Sequence, residues 1–136
     1  MALFGATGYT GREAARLLHA HPFFRLAAVF GGRERDGAPL SSIHPSLRGV
    51  VDLPCRGIDT NGHEAAGGGP SNAGIERVAA DLRDRGVAHA LLATPEETSI
   101  RLAGPLLDAG FRVVDLSGAF RLRPPALYPE WYGFEH

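Results

Sequence analysis

Gly5-Ala6-Thr7-Gly8-Tyr9-Thr10-Gly11 is the stretch on which the reading of this chain turns. A short apolar run, residues 1–4, leads into it, and a helical pattern opens directly behind it. Glycines at such a junction let the backbone approach a pyrophosphate that side chains would hold away. The following helix N-terminus adds N–H groups and positive dipole. The spacing is G-x-x-G-x-x-G and not the commoner G-x-G-x-x-G, but the strand–loop–helix setting is that of a dinucleotide site. A tight strand-to-helix turn without ligand is the other reading that the glycines alone allow.

Working outward, short apolar strands alternate with amphipathic helices. Residues 10 to about 21 read as a helix, with Thr10 and Glu13 in capping-box spacing. Ala14, Leu17, Leu18 and His21 fall on one face of it, and Pro22 should end it. Residues 24–30 form a second apolar run, continuous enough for a strand buried on both faces. After a loop of Gly, Arg and Ser, a weaker strand is expected around residues 50–53. Residues 57–74, centred on Gly67-Gly68-Gly69-Pro70, read as a flexible surface insertion within one domain. Ile75, Val78, Ala79 and Leu82 have helical spacing over residues 75–85, and Gly86 stands where a C-cap glycine would. Residues 89–93 make a third strong strand. Residues 95–109 make another helix with two glutamates in its first turn, closed by Gly110. Residues 111–116 form the last clear strand, and the tail 118–136 is irregular and rich in Pro, Tyr and Trp. Strands alternating with helices imply right-handed crossovers and a parallel sheet. The expected fold is therefore α/β, a Rossmann-like doubly wound sheet in a single domain over residues 1–136.

Composition narrows the function. With 136 residues, the chain is one domain by size and small for a complete two-substrate dehydrogenase. A net charge of −1 gives no reason to expect nucleic acid or an anionic membrane as partner. The sequence holds no lysine, which excludes a Schiff-base or P-loop lysine within it. Its single cysteine, Cys55, rules out an internal disulfide framework and suits a reducing cytosol. No apolar run approaches the roughly 20 residues that cross a bilayer, and no secretory pattern opens the chain. The expectation is a cytoplasmic protein acting on a small molecule. The histidines show no metal-ligand spacing.

The second strand bears on the choice of cofactor. Dinucleotide sites place a carboxylate about 20 residues on for the ribose 2′-hydroxyl of NAD, whereas arginine there suits a 2′-phosphate. Here the run ends at Phe30-Gly31-Gly32, followed by Arg33 and Arg35, with Glu34 and Asp36 close by but no carboxylate at the strand tip. NADP is the expected cofactor; two solvated loop arginines are the plain alternative. The ends of later strands also matter, because ligands in open α/β sheets bind there. Thr94-Pro95 and Ser117 lie at such ends, either as ligand contacts or as turn chemistry. Arg121, four residues beyond Ser117, is an anion-ligand candidate or a structural salt-bridge partner.

Several stretches together resemble one family. They are Gly5 to Gly11, Leu17-Leu18 with His21-Pro22, Ser41-Ser42-Ile43-His44-Pro45-Ser46-Leu47-Arg48-Gly49, Ala93-Thr94-Pro95, Asp115-Leu116-Ser117-Gly118-Ala119-Phe120-Arg121-Leu122 and Trp131-Tyr132-Gly133. In this order they are similar to the N-terminal domain of N-acetyl-γ-glutamyl-phosphate reductase, of the semialdehyde dehydrogenase superfamily. The resemblance covers nearly the whole chain, and the His-Pro-x-Leu-Arg-Gly and Asp-Leu-Ser-x-x-Phe-Arg stretches are its specific part. It implies the arginine-biosynthetic reduction of an acyl phosphate to a semialdehyde with NADPH. The glycine loop would hold the cofactor pyrophosphate, and Arg121 would help bind the substrate phosphate. The family mechanism needs a cysteine thiolate and a histidine acid/base, both downstream of the Tyr-Gly-x-x-His segment that ends here. Cys55 lacks the family's Pro-Gly-Cys context, so no catalytic residue is expected in this chain, and subunit contacts are expected in a domain beyond it. Two features depart from the family: a first strand short by several apolar residues, which should weaken the sheet, and the long 57–74 insertion. An aspartate- or aminoadipate-type semialdehyde dehydrogenase, or a non-catalytic NAD(P)-sensing module, stay open beside the leading reading.

Overall fold

In the computed structural model, which describes residues 1–58 and 73–136, five parallel strands form one sheet. In chain order the elements are β1 (Ala2–Phe4), α1 (Tyr9–His19), β2 (Ala28–Gly31), α2 (Leu40–Ile43) and β3 (Cys55–Gly57). They continue with α3 (Ala73–Asp84), β4 (His89–Leu92), α4 (Glu96–Asp108), β5 (Arg112–Asp115) and α5 (Tyr128–Tyr132). The strand order is β3-β2-β1-β4-β5. The chain winds outward from β1 to β3 and then returns to the other side of β1, so the direction reverses between β1 and β4. That is the doubly wound α/β arrangement, and the reversal opens a crevice at the carboxyl ends of those two strands.

Strand alternation sorts the core into two layers. Ala2, Phe4, Ala28, Phe30, Ala90 and Leu92 face α3 and α4, where Ile75, Ala79, Leu82, Leu102 and Leu106 cover them. Leu3 and Val29 face the opposite way, under Ala14 and Ala15 of α1 and the Leu40, Leu47 and Val51 segment. Phe4 stacks on Phe30 with ring centroids 4.5 Å apart, joining β1 to β2 beneath the helices. β1 is only three residues long, yet it is wholly buried and pairs along its length with both β2 and β4.

Several local expectations shift. The second strand begins at Ala28, not at residue 24, and Phe23 before it is 89% exposed. The third strand is Cys55–Gly57, not 50–53. Val51 and Leu53 fill the layer under α1 without pairing as a strand; Leu53 accepts the Leu40 N–H, and Pro54 forms an isolated bridge with Pro39. Burial there is the work of a loop, which a run of apolar residues does not distinguish from a strand. Nor is α1 capped by Thr10. Its N-cap is Gly8, with no side-chain cap, while Glu13 pairs with Arg12 and Arg16. The buried face of α1 is Gly11, Ala14, Ala15 and Leu18, and Leu17 and His21 lie exposed. Small residues let the helix lie flat over the loop, which turns the stripe away from Leu17.

The ends of α3 and α4 follow expectation. Gly86 and Gly110 close them with the same pair of bonds, Gly86 N–H to Arg83 and Val87 N–H to Leu82, then Gly110 N–H to Leu107 and Phe111 N–H to Leu106. The tail read as irregular contains α5, whose Tyr128 is fully buried and accepts the Leu122 N–H at 3.0 Å. The 57–74 insertion, apart from its ends, lies outside the described residues.

Candidate functional site

The glycine loop is tied down from three directions. Ala6 N–H donates to Phe30 O of β2 at 2.9 Å, and Gly8 N–H turns back to Gly5 O at 3.2 Å. The Ala6 carbonyl accepts from the His44 ring nitrogen Nε2 at 2.9 Å. The three glycines have different reasons for being glycine. Gly5 has φ +80°, and a Cβ there would overlap the Ala93 carbonyl of the neighbouring strand end. A Cβ on Gly11 would overlap the Gly5 carbonyl and come within 2.7 Å of Ala6 Cα, so Gly11 lets α1 close onto the loop. Gly8 differs. Its backbone is extended, and an added Cβ would meet only Gly5 O, at an ordinary 3.6 Å. Protein packing therefore explains Gly5 and Gly11 but leaves Gly8 bare beside open space, at the N-terminus of an eleven-residue helix. A cradle that a side chain would fill, beside N–H groups at a helix start, fits a pyrophosphate.

Two clefts meet at Thr7. One, of ≈ 230 Å³, lies at the β1/β4 reversal among Gly5, Thr7, Gly31, Gly32, Thr94 and Pro95. The other, of ≈ 370 Å³, is bounded by Thr7, Gly8, Tyr9, Arg35, Ile43 and His44. A larger hollow of ≈ 510 Å³ around Phe23, Phe24 and Val50 lies near the start of β2, away from the strand ends that gather the glycines. Of the residues singled out in the sequence, Gly5, Thr7, Gly8, Tyr9, Arg35, Thr94 and Pro95 line the two clefts. Ala6 and Gly11 are buried, and Thr10 is exposed in the first turn of α1. Arg33 lies on the same 3-10 turn as Arg35 but lines neither cleft.

Ser117 and Thr94 are joined through Asp115. Asp115 Oδ2 accepts from Ser117 Oγ at 2.7 Å, its Oδ1 accepts from Ser99 Oγ at 2.9 Å, and Ser99 Oγ lies 2.8 Å from Thr94 Oγ1. Ser99 is fully buried, and this network ties the ends of β4 and β5 to α4. Arg121 is exposed and outside both clefts, its guanidinium reaching Ser117 O at 3.4 Å. The structure thus gathers the glycine loop, Arg35, Thr94 and Pro95 at the two clefts, links Ser117 to Thr94 through Asp115 and Ser99, and leaves Arg33 and Arg121 outside both clefts.

Two side chains near the second strand sharpen the electrostatics. Asp36 Oδ1 accepts the Gly57 N–H at 2.7 Å, so that carboxylate fastens β3. Glu34 folds its carboxylate against Gly32, at the rim of the first cleft. Burial, with Asp36 and Glu34 nearby, pushes the Cys55 thiol above its ordinary range. It is a core residue of β3 and the opposite of an activated thiolate. His44 is the site residue that sequence reasoning missed; only the His-Pro stretch of the resemblance marked it, without a role.

Residues 1–135 match the family described as "Semialdehyde dehydrogenase, NAD binding domain". The chain belongs to that family. It is 38% identical over 136 residues to N-acetyl-gamma-glutamyl-phosphate reductase of Tolumonas auensis, covering 98% of this chain and 36% of that protein. It is equally 38% identical to [LysW]-L-2-aminoadipate/[LysW]-L-glutamate phosphate reductase of Saccharolobus solfataricus, across all of this chain and 33% of that one. The chain therefore spans about a third of the length of these curated relatives. The fold also matches aspartate semialdehyde dehydrogenase with NADP from Candida albicans, with TM-score 0.63 at 15% identity over 91% of this chain and 31% of that one. The resemblance read from the motifs holds. Among the described residues no helix is long and apolar enough to cross a membrane, and no cluster of His, Cys, Asp and Glu could hold a metal ion.

Proposed function

We propose that this domain holds NADP on the loop Gly5 to Gly11, as the cofactor-binding part of a reductase acting on N-acetyl-γ-glutamyl phosphate. The bare Gly8 at the start of α1 carries the reading, because nothing in the protein's own packing asks for a glycine there. The N–H groups of Thr7 and Tyr9 would take the pyrophosphate, with the bare Gly8 leaving room for it, and Thr94 and Pro95 would bound the nucleotide at the β1/β4 crevice. Arg35, on the cleft that Thr7 and Gly8 share, would meet a 2′-phosphate, with Arg33 adding charge from the same turn. When bound, NADPH would supply the hydride that reduces the acyl group once the thiolate has displaced phosphate. Ser117, fixed by Asp115 at the end of β5, would contact the cofactor, and Arg121 would help bind the substrate phosphate. The attacking thiolate and its proton carrier would come from segments beyond the region shared here, since Cys55 is buried and protonated. Cytoplasmic location, a small-molecule substrate, no nucleic-acid or membrane partner and a homo-oligomer built through another domain complete the proposal.

A calorimetric titration with NADPH and then NADH tests it. Preference for NADPH supports the loop and its arginines; no binding of either nucleotide would sink the cofactor reading. Preference for NADH would transfer the discrimination to Glu34, whose carboxylate at Gly32 suits a ribose hydroxyl. The aminoadipate-type relative, no less identical than the glutamyl one, keeps a carrier-bound aminoadipyl phosphate as the second substrate reading. Turnover of either acyl phosphate by this chain alone would overturn the claim that its nucleophile lies elsewhere.

A further inference from the structure

We propose that His44 is a positioning residue for the cofactor, holding the Ala6–Thr7 peptide in the orientation that binds phosphate. The proposal rests on the nucleotide reading of the glycine loop and deepens it. The bond spans 38 residues of chain, from the Ala6 carbonyl to His44 Nε2 at 2.9 Å. A carbonyl oxygen only accepts, so Nε2 must carry the hydrogen, and the tautomer is set by the partner.

The mount for this ring is built by the sequence around it. Pro45 disfavours helix at the residue before it, and His44 is extended there, at φ −122° and ψ 92°. That turns the chain sharply between α2 and the 3-10 turn at Pro45–Leu47. Leu40 and Leu47, on either side, are fully buried in the layer beneath α1. The His44 N–H donates to Leu40 O, and its own carbonyl accepts the Leu47 N–H, both at 2.9 Å. The ring is therefore carried by a backbone that cannot drift, beside Thr7, Gly8, Tyr9 and Arg35. This gives the Ser41 to Gly49 stretch a task that its apolar anchors alone do not explain.

The chemistry follows from the peptide unit. In a trans peptide the N–H points opposite to the C=O, so tying Ala6 O to His44 turns the Thr7 N–H away from the ring. The same bond polarises the peptide, and a polarised N–H is a stronger donor to an anion. With Ala6 N–H already on Phe30 O, both backbone groups of Ala6 are engaged. The loop then has less freedom to lose when phosphate arrives.

The test uses the full chain with two substitutions and one spectroscopic measurement. Glutamine can place its Nε2 near the position of the imidazole Nε2 and donate the same bond; leucine fills the space without donating. His44→Leu is expected to weaken NADPH binding about three- to tenfold, the range of one neutral hydrogen bond. His44→Gln should stay within about twofold of wild type. Circular dichroism and thermal midpoints of both variants check that each remains folded. Nitrogen chemical shifts of wild-type His44 should show the proton on Nε2 before nucleotide is added. A bare Nε2, a leucine variant that binds like wild type, or a glutamine variant as weak as leucine would each overturn the assignment. Failure of wild type itself to bind NADPH would instead overturn the cofactor reading, so the two failures are told apart.

Discussion

β2 and β5 are both four-residue parallel strands, Ala-Val-Phe-Gly and Arg-Val-Val-Asp, yet the molecule treats them oppositely. Every residue of β2 is buried: it pairs with β1 and β3 and has helices over both faces. β5 pairs with β4 alone, and its residues alternate between exposed and half-buried. Val114 aligns with Leu91 on the α1 side of the sheet and is 50% exposed, as no described helix covers that part of the face. The half of the sheet that carries the glycine loop is thus finished by its own residues. The half that carries Ser117 and Arg121 has one open face. The proposed nucleotide site lies at the finished half, where the clefts are already formed, while Arg121 stands outside them.

The comparison breaks most visibly in stability. Phe30→Ala removes a ring stacked on Phe4 in the closed half and should cost about 3–5 kcal/mol. Val114→Ala on the open half should cost less than about 0.5 kcal/mol. Urea unfolding of both variants measures the difference, and comparable losses would mean that β5 is covered after all.

Binding tests the same contrast next. Gly8→Val should reduce NADPH affinity by about a hundredfold, equivalent to about 3 kcal/mol. Its extended backbone accepts a branched residue and nothing crowds its Cβ, so the thermal midpoint should move little. An unchanged affinity would remove the loop as the site. Arg33→Ala with Arg35→Ala should weaken NADPH about tenfold and NADH far less, as expected for charge-assisted bonds to a 2′-phosphate. Equal losses for both nucleotides would reduce the arginines to general charge.

The smallest effect concerns the rim of the closed half. Arg56 of β3 donates to Asp81 of α3 at 2.6 Å, and this bond holds the Asp81 carboxyl below the usual carboxylate range. A pKa lowered by folding contributes stability above the unfolded value, which is lost as pH falls through the folded one. The stability difference between wild type and Asp81→Asn should therefore be present at neutral pH and vanish in acid. A difference that persists in acid would assign it to packing.

The fold was largely legible. Apolar runs at β1, β4 and β5 and the helical spacing of Ile75, Val78, Ala79 and Leu82 place those elements within a residue or two. Periodicity failed where burial and pairing part company. Val51 and Leu53 are apolar but support α1 from a loop, while Cys-Arg-Gly, with an arginine at its centre, pairs as β3, where Arg56 aligns with Phe30 and lies over its ring at 5.1 Å. The glycine loop could be found from its neighbours in sequence, but not which glycine faces a ligand.

The sequence by itself determined the α/β class, the position of the loop and the family, because each rests on local spacing and on motif order. Only the tertiary structure decided that Gly5 and Gly11 serve packing while Gly8 faces open space. It alone showed that Glu34 sits at the cleft rim, and that His44, 38 residues away, reaches the loop. Those facts depend on distances between segments far apart in the chain, which strand pairing and helix packing set and no local pattern encodes.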